Sequence, residues 1–311
     1  MLLISICILR KNNQKRKKSD RGYNLTTPVS FINGETARFG IIGFPLKHTK
    51  SPAMHNGFFS RHQLNSVYFP FEVGSEDFSR TVPFLKSLYK GFNVTVPFKE
   101  EIIPFLDDVT DAAKLIGAVN TVYFEGDRWL GDNTDWSGFL ENIEIDYKVF
   151  FKDKKILFLG AGGSARACVY AAIQGGVKEI TVANRTVEKA KKLIQSIRSD
   201  KTQLEYIGIG NDELTEVSVS ADIIVNTTSI GLKENDIRYF SFEKVKKDAF
   251  AYDLVYGVET DFIKKAKING NQTGVGQGML VRQGAKSLKI WTEIEPDITM
   301  FYKDAGFMYN V

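Results

Sequence analysis

Lys154-Lys155-Ile156-Leu157-Phe158-Leu159-Gly160-Ala161-Gly162-Gly163-Ser164-Ala165-Arg166-Ala167 decides how this chain is read. An apolar run over 156–159 stops at glycines, and a helical pattern of Ala165, Ala167, Cys168, Val169, Ala171 and Ala172 begins at once. That order is strand, tight turn, helix. The spacing Gly160, Gly162, Ala165 is G-x-G-x-x-A, the pattern of a dinucleotide-binding turn. Gly160 permits the turn, Gly162 lets the backbone approach a pyrophosphate, and Ala165 lets helix and strand pack closely. Free N–H groups at the helix start, around Ala161, Gly163 and Ser164, then face phosphate. Glycines also end strands that bind nothing. The flanking strand and helix favour the dinucleotide reading.

Downstream, the pattern predicts strands at 179–183, 203–209, 222–225 and 250–255, with a helix at 187–197. The strand ends carry Asn184-Arg185-Thr186, Asn226-Thr227-Thr228-Ser229 and Tyr256, polar as a ligand rim should be. Upstream, strands are predicted at 38–43, 67–73 and 91–97. Helices are predicted from Ser51, over 78–88 and over 98–107. Ser51 is expected as the N-cap with Pro52 in the first position. Residues 118–124 and 129–131 read as a hairpin, followed by a helix through Phe139 and Leu140. After Gly274-Val275-Gly276-Gln277-Gly278, helical patterns run from Met279 to Trp291 and over 298–307. Alternating strands and helices predict an α/β fold: an N-terminal α/β domain and a doubly wound Rossmann-type domain.

The chain has 311 residues, enough for two domains, with 43% apolar and 25% charged residues. The net charge of +4 is uneven: residues 10–21 hold +6, leaving about −2 elsewhere. The basic balance therefore belongs to a tail and gives no reason to expect nucleic acid at the folded body. The apolar stretch 1–9 is too short to span a bilayer, and its basic run follows rather than precedes it, unlike a signal peptide. Residues 1–35 are expected to be a disordered or non-core extension, with a membrane-touching or targeting role as the alternative. Cys7 and Cys168 allow neither a disulfide framework nor metal spacing, and suit a reducing compartment.

About 20 residues past the glycines, a dinucleotide unit normally presents an acid to the ribose 2′-hydroxyl. Here the position reads Asn184-Arg185-Thr186, with Lys189 one helical turn on. An arginine fork suits a 2′-phosphate, so NADP(H) is expected over NAD(H); the alternative is a solvated surface charge. Lys99 follows a strand-ending proline at a predicted helix start, where a cation is unfavourable. A carboxylate partner would explain it, and Asp135, at another strand–helix junction, is the candidate. Such a pair moves a proton while a cofactor moves hydride; the alternative is an ordinary surface pair.

Taken together, the chain resembles the shikimate dehydrogenase family, with its quinate/shikimate relatives, from about Phe39 to Pro296. The resemblance is carried by Gly43-Phe44-Pro45-Leu46-Lys47-His48-Thr49-Lys50-Ser51-Pro52 with His55-Asn56 and by Asn93-Val94-Thr95-Val96-Pro97-Phe98-Lys99. It is carried further by Gly117-Ala118-Val119-Asn120-Thr121, Gly131-Asp132-Asn133-Thr134-Asp135, the glycine turn, Asn184-Arg185-Thr186, Asn226-Thr227-Thr228-Ser229 and Gly276-Gln277-Gly278-Met279-Leu280-Val281-Arg282-Gln283. It implies a substrate domain over 36–134, an NADP-binding domain over 135–276, and C-terminal helices over 277–311 packing back on the first. It implies Lys99 and Asp135 as the catalytic pair. Asn93, Thr95, Asn120 and Gln283 would hold ring hydroxyls, and Thr49, Ser51 and Tyr256 a carboxylate. Gly276 and Met279 would border the nicotinamide, with Thr228 among the cofactor residues. The implied activity is the reversible, NADP-dependent reduction of 3-dehydroshikimate to shikimate in aromatic amino-acid biosynthesis. A cytoplasmic enzyme with a small-molecule substrate is expected, as monomer or homodimer.

Three departures from the family pattern stand out: Thr49 for a usual serine, no proline soon after Tyr256, and Phe44 where asparagine is common. A quinate or aminoshikimate-type dehydrogenase is the nearest alternative. A methylenetetrahydrofolate dehydrogenase and a non-catalytic NADP(H) sensor are more distant ones. His48, His55 and His62 lack a second ligand set at metal spacing, so packing or hydrogen bonding is expected of them, and no metal.

Overall fold

The strands of the chain divide between two six-stranded sheets among the residues described by a computed structural model, 32–309 apart from 198, 211 and 229–239. The expected extension falls mostly on residues 1–31, which lie outside the described residues, as does Ser229.

The first sheet is built from β1 (Ala37–Gly43), α1 (Ser51–Arg61), β2 (Ser66–Glu72), α2 (Ser75–Leu88), β3 (Gly91–Val94), β4 (Asp108–Val109), α3 (Asp111–Ile116), β5 (Thr121–Glu125) and β6 (Arg128–Asp132). Its order is β2-β1-β3-β5-β6-β4, with β1 parallel to β2 and β3. The expected hairpin is present: β5 and β6 pair antiparallel across a turn at Gly126, whose φ of +61° lies where glycine is favoured. One face of this sheet buries Ile42, Phe92, Val94, Val122 and Trp129. Phe78 from α2 stacks on Phe98 at 4.0 Å beneath the segment that carries Lys99.

The second sheet follows α4 (Asp135–Glu141), which continues as a wider turn through residues 142–146. Its elements are β7 (Lys155–Leu159), α5 (Gly163–Gln174), β8 (Glu179–Asn184), α6 (Val187–Ser196), β9 (Gln203–Gly208), α7 (Asp212–Ser220), β10 (Ile223–Asn226), β11 (Phe250–Asp253), α8 (Asp261–Asn269) and β12 (Gln272–Val275). All pairs are parallel, in the order β12-β11-β10-β7-β8-β9. Counted from β7 this is the 3-2-1-4-5-6 order of dinucleotide sheets. Alternate residues feed opposite layers: Ile156, Phe158, Ile180 and Val182 pack on one side, Leu157, Leu159, Ala183 and Ile224 on the other. Burial on both faces explains the unbroken apolar run of β7. Each large side chain so buried contributes about 1.5–3 kcal/mol.

Two last helices, α9 (Gln277–Thr292) and α10 (Ile298–Asp304), return to the first sheet. Val281, Ala285, Leu288 and Phe301 share a core with Phe39, Met54 and Phe58. Trp291 Nε1 donates to the Val122 carbonyl at 3.0 Å, and a side chain on Gly91 would collide with that indole.

Two local expectations are corrected. Residues 98–107 form turns with a 3-10 helix at Ile103–Phe105, not an α-helix. Pro104 has no N–H to give the Glu100 carbonyl, which disfavours an α-helix through it, although α2 accommodates Pro83. Lys99 therefore does not sit at a helix N-terminus. Ser51 is the first residue of α1 rather than its cap; Lys50 precedes it and no side chain caps the helix. The buried Ser51 hydroxyl bonds to Tyr68 instead.

Candidate active site

The polar turns at the ends of β3, β6 and β7 place the chemistry. Lys99 Nζ donates to Asp135 Oδ2 at 2.5 Å, and both residues are buried, at 9% and 5% exposure. Asp135 opens α4, where a carboxylate is favoured by the helix dipole. Its N–H donates to Asn133 Oδ1, whose Nδ2 donates to the Ala118 carbonyl. Asn120 Nδ2 donates to Asp135 Oδ1 at 2.9 Å, and Asn120 Oδ1 accepts from the Thr134 N–H at 2.8 Å. Both carboxylate oxygens are thus occupied, which a buried ion pair requires.

The pair opens onto a cavity of about 340 Å³. Thr49, Ser51, Asn93, Thr95, Asn120, Tyr256 and Gln283 all line it, as do Ser164, Gly276 and Met279. The structure thus brings every residue expected at the substrate together around Lys99 and Asp135, with three expected at the cofactor. Thr49 keeps a working hydroxyl, which accepts from the Ser51 N–H at 3.4 Å. Tyr256 projects from a loop closed at its neck by Asp253, which accepts from Thr260 at 2.6 Å, Asn226 at 3.1 Å and the Val255 N–H at 3.0 Å. The segment after Tyr256 has no proline to stiffen it, and this clasp joins the two ends of the loop instead. Burial raises the Asp253 carboxyl and the Tyr256 phenol above their usual pKa ranges.

The remaining residues expected at the cofactor do not line this cavity. Gly160, Ala161, Gly162, Gly163 and Ala165 form the turn from β7 into α5, and Thr228 follows β10 beside it. Asn184, Arg185, Thr186 and Lys189 lie at the end of β8 and the start of α6. The turn fits a dinucleotide. Gly160 has φ +110°, and a side chain there would press on Thr227 and Thr228. A Cβ on Gly162 would meet nothing within 4 Å, so protein packing does not demand that glycine and the space is open to a ligand. One on Gly163 would lie 3.8 Å from Lys99 Cβ, which places the turn against the Lys99–Asp135 pair. Arg185 and Lys189 are exposed, and among the described residues neither pairs with a carboxylate. That suits an anionic phosphate. Among the described residues no cluster of metal-ligating side chains occurs, and no helix is long and apolar enough to cross a membrane.

His48 lines the cavity and His62 stacks on Phe58. His55 is fully buried, stacked at 4.2 Å on Tyr68, and neither ring nitrogen has a hydrogen-bond partner among the described residues. Burial lowers its pKa to about 3, so the native imidazole is neutral while the unfolded one titrates near 6.5. The unfolded state therefore binds the extra proton between these values, and stability falls as pH falls below 6.5. The expected cost is about 2 kcal/mol at pH 5 relative to neutral pH. Urea titrations of wild type and His55→Phe at pH 7.5 and 5 check this: the variant should lose about that much less. Equal losses contradict the assignment.

Sequence reasoning missed a second ring of polar groups behind the cavity wall. Tyr68, Thr121, Thr134 and Ser287 bond to Asn93 and Asn120. Ser287 was findable: Met279, Gln283 and Ser287 follow one another at four-residue spacing on α9. Tyr68, within a strand of ordinary composition, gives no such signal.

A buried lysine–carboxylate pair at the wall of a polar cavity, beside a glycine turn that fits a dinucleotide, is the arrangement of a nicotinamide-dependent dehydrogenase. The shikimate dehydrogenase substrate-binding domain profile matches residues 41–122, and that of shikimate/quinate 5-dehydrogenases matches 144–255. The NADP(+) shikimate dehydrogenase of Aquifex aeolicus is 45% identical over 265 residues, 85% of this chain and 94% of that protein. The chain belongs to the shikimate dehydrogenase family. The crystal structure of an Aquifex aeolicus shikimate dehydrogenase superposes with a TM-score of 0.80 at 44% identity, covering 88% of this chain and 98% of that one. A Thermus thermophilus shikimate 5-dehydrogenase, in complex with NADP(H) and shikimate, gives 0.77 at 32% identity, covering 87% and 98%.

Proposed function

We propose that this chain is an NADP-dependent shikimate dehydrogenase that interconverts 3-dehydroshikimate and shikimate in aromatic amino-acid biosynthesis. The Lys99–Asp135 pair at the wall of a cavity rich in neutral hydrogen-bonding groups carries this reading. A polyhydroxylated acid needs many such groups, and a site built to satisfy them rejects analogues without the hydroxyls. Thr49, Ser51 and Tyr256 take the carboxylate; Asn93, Thr95, Asn120 and Gln283 take the ring hydroxyls. Lys99 Nζ holds the proton exchanged with the reacting oxygen. Asp135 keeps Lys99 in place and orients it toward that oxygen. Bound NADP(H) supplies or accepts the hydride at the substrate carbon. Gly160, Gly162, Gly163 and Ala165 seat the pyrophosphate with Ala161 and Ser164, and Gly276, Met279 and Thr228 flank the cofactor. Arg185 and Lys189, with Asn184 and Thr186, receive the 2′-phosphate.

We assign 36–134 to the substrate domain, 135–276 to the cofactor domain and 277–311 to helices that complete the first. The sheets lying within 37–132 and 155–275 support that division. A buried free Cys168 is in keeping with a cytoplasmic enzyme.

The test follows the absorbance of the reduced nicotinamide with shikimate and quinate, using NADP+ and NAD+ in turn. Shikimate with NADP+ is expected to be the preferred pair. Arg185→Ala should lower the NADP+/NAD+ ratio of kcat/KM by about 10–100-fold, as befits a charged hydrogen bond. Preference for quinate, or an unchanged cofactor ratio, would refute the corresponding assignment. Tight NADPH binding without turnover of either substrate would point to a sensor.

A further inference from the structure

Asn93 has little hydrogen-bonding freedom left. Its side chain faces the Asn120 carbonyl at 3.0 Å, and a backbone carbonyl only accepts. The facing atom is therefore Nδ2. The same nitrogen donates to Ser287 Oγ at 2.9 Å, with Thr121 Oγ1 at 3.3 Å. Both amide hydrogens are then engaged. Oδ1 accepts from the Tyr68 hydroxyl at 2.8 Å and keeps one lone pair.

Ser287 is suited to hold this arrangement. It is fully buried and does not line the cavity. Its own hydroxyl donates to the Gln283 carbonyl one turn back along α9 at 3.0 Å, leaving a lone pair to accept from Asn93, with the hydroxyls of Thr121 and Thr134 packed beside it at 2.7 and 3.2 Å. Helix α9 thus reaches across the cavity wall and fixes an amide on β3.

We propose that Ser287, with Tyr68, is a positioning residue that leaves Asn93 only an acceptor toward the cavity, so that the site selects a free hydroxyl at the ring position Asn93 touches. The proposal rests on the reading of Asn93 as a substrate-binding residue. A hydroxyl donates to the remaining Oδ1 lone pair; fluorine at the same carbon cannot donate and leaves that lone pair unpaired.

The experiment compares kcat/KM for shikimate with analogues carrying fluorine in place of each non-reacting hydroxyl. In wild type, one position should show a marked loss. Ser287→Ala should shrink that loss by about five- to tenfold, the scale of one buried hydrogen bond. The change should appear mainly in KM, because Ser287 does not touch the reacting atoms. Thr121→Val added to it should shrink the loss further, and Ser287→Thr should restore most of it. If Ser287→Ala does not fold, Ser287→Cys, with a weak sulfur acceptor, reads the same ratio. An unchanged ratio in Ser287→Ala, with Asn93→Ala altering it, overturns the positioning role alone. Unchanged ratios in Asn93→Ala overturn the substrate role of Asn93 and the proposal with it.

Discussion

Lys99→Ala is expected to lower kcat about 10²–10⁴-fold, the range that general acid–base groups supply. Nζ is the one donor on the Lys99 side chain, and it lies 2.5 Å from Asp135 at the cavity wall. The substitution removes the proton carrier and also leaves a buried carboxylate without its cation, which costs about 3–5 kcal/mol of stability. Two measurements separate these effects. Lys99→Met keeps most of the stem packing, and a double change with Asp135→Asn removes the unpaired charge. Both variants should regain stability without regaining kcat. NADPH affinity should be retained, because only the Lys99 stem approaches the glycine turn, at 3.8 Å or more from a Cβ on Gly163. Near-normal kcat in a folded Lys99→Ala protein would remove Lys99 from the mechanism.

The two halves of the molecule were unequally legible. β7 and α5 could be placed nearly to the residue, because apolar run, glycine spacing and helical apolar pattern agree at one point. The segment carrying Lys99 misled. An apolar stretch broken by charges looked helical, yet Pro104 disfavours the ladder, and Phe98 and Ile102 are buried by turns. The inference of a partner for Lys99 survives on the observed pairing with Asp135, while its electrostatic premise does not. Helix α8 was missed although Thr260 caps it and Phe262, Ile263 and Ala266 mark its buried face. Lys264, Lys265, Lys267 and Asn269 on the same short helix dilute that signal. Strand β4, of two residues, is too short to show a period, and β12 carries a single large apolar residue, Val275, beside Gly274. The residues meant for the substrate were found through their place in motifs. Tyr68 was not, because its contact with Asn93 spans a chain separation that no local pattern records; Ser287 was overlooked although its spacing from Met279 and Gln283 on α9 marks it.

Arg282→Ala is expected to destabilise the protein by about 3–5 kcal/mol, the cost of breaking a buried pair from one side. Arg282 lies on α9 next to Gln283, its side chain only 5% exposed. Its Nη2 donates to Asp146 Oδ1 at 2.5 Å, and Glu141 lies 3.7 Å from Nη1. Asp146 also accepts from Asn142 Nδ2 at 2.7 Å and the Tyr302 hydroxyl at 2.8 Å. Burial alone would lower the guanidinium pKa; Asp146 more than offsets it, and the net shift is upward. This cluster ties α9 and α10 to the wide turn after α4, where the chain passes between its two sheets. Without Arg282, Asp146 keeps neutral donors but loses its cation. The melting temperature should drop by about 5–8 °C. Arg282→Lys should recover only part, since an ammonium lacks the planar fork. Arg282→Met with Asp146→Leu should recover most, because well-packed apolar pairs replace buried ion pairs at little cost. Because α9 also carries Met279, Gln283 and Ser287, KM for shikimate should rise in Arg282→Ala even where the protein stays folded. A single variant as stable as wild type, with unchanged KM, would show that α9 is held by its apolar face alone.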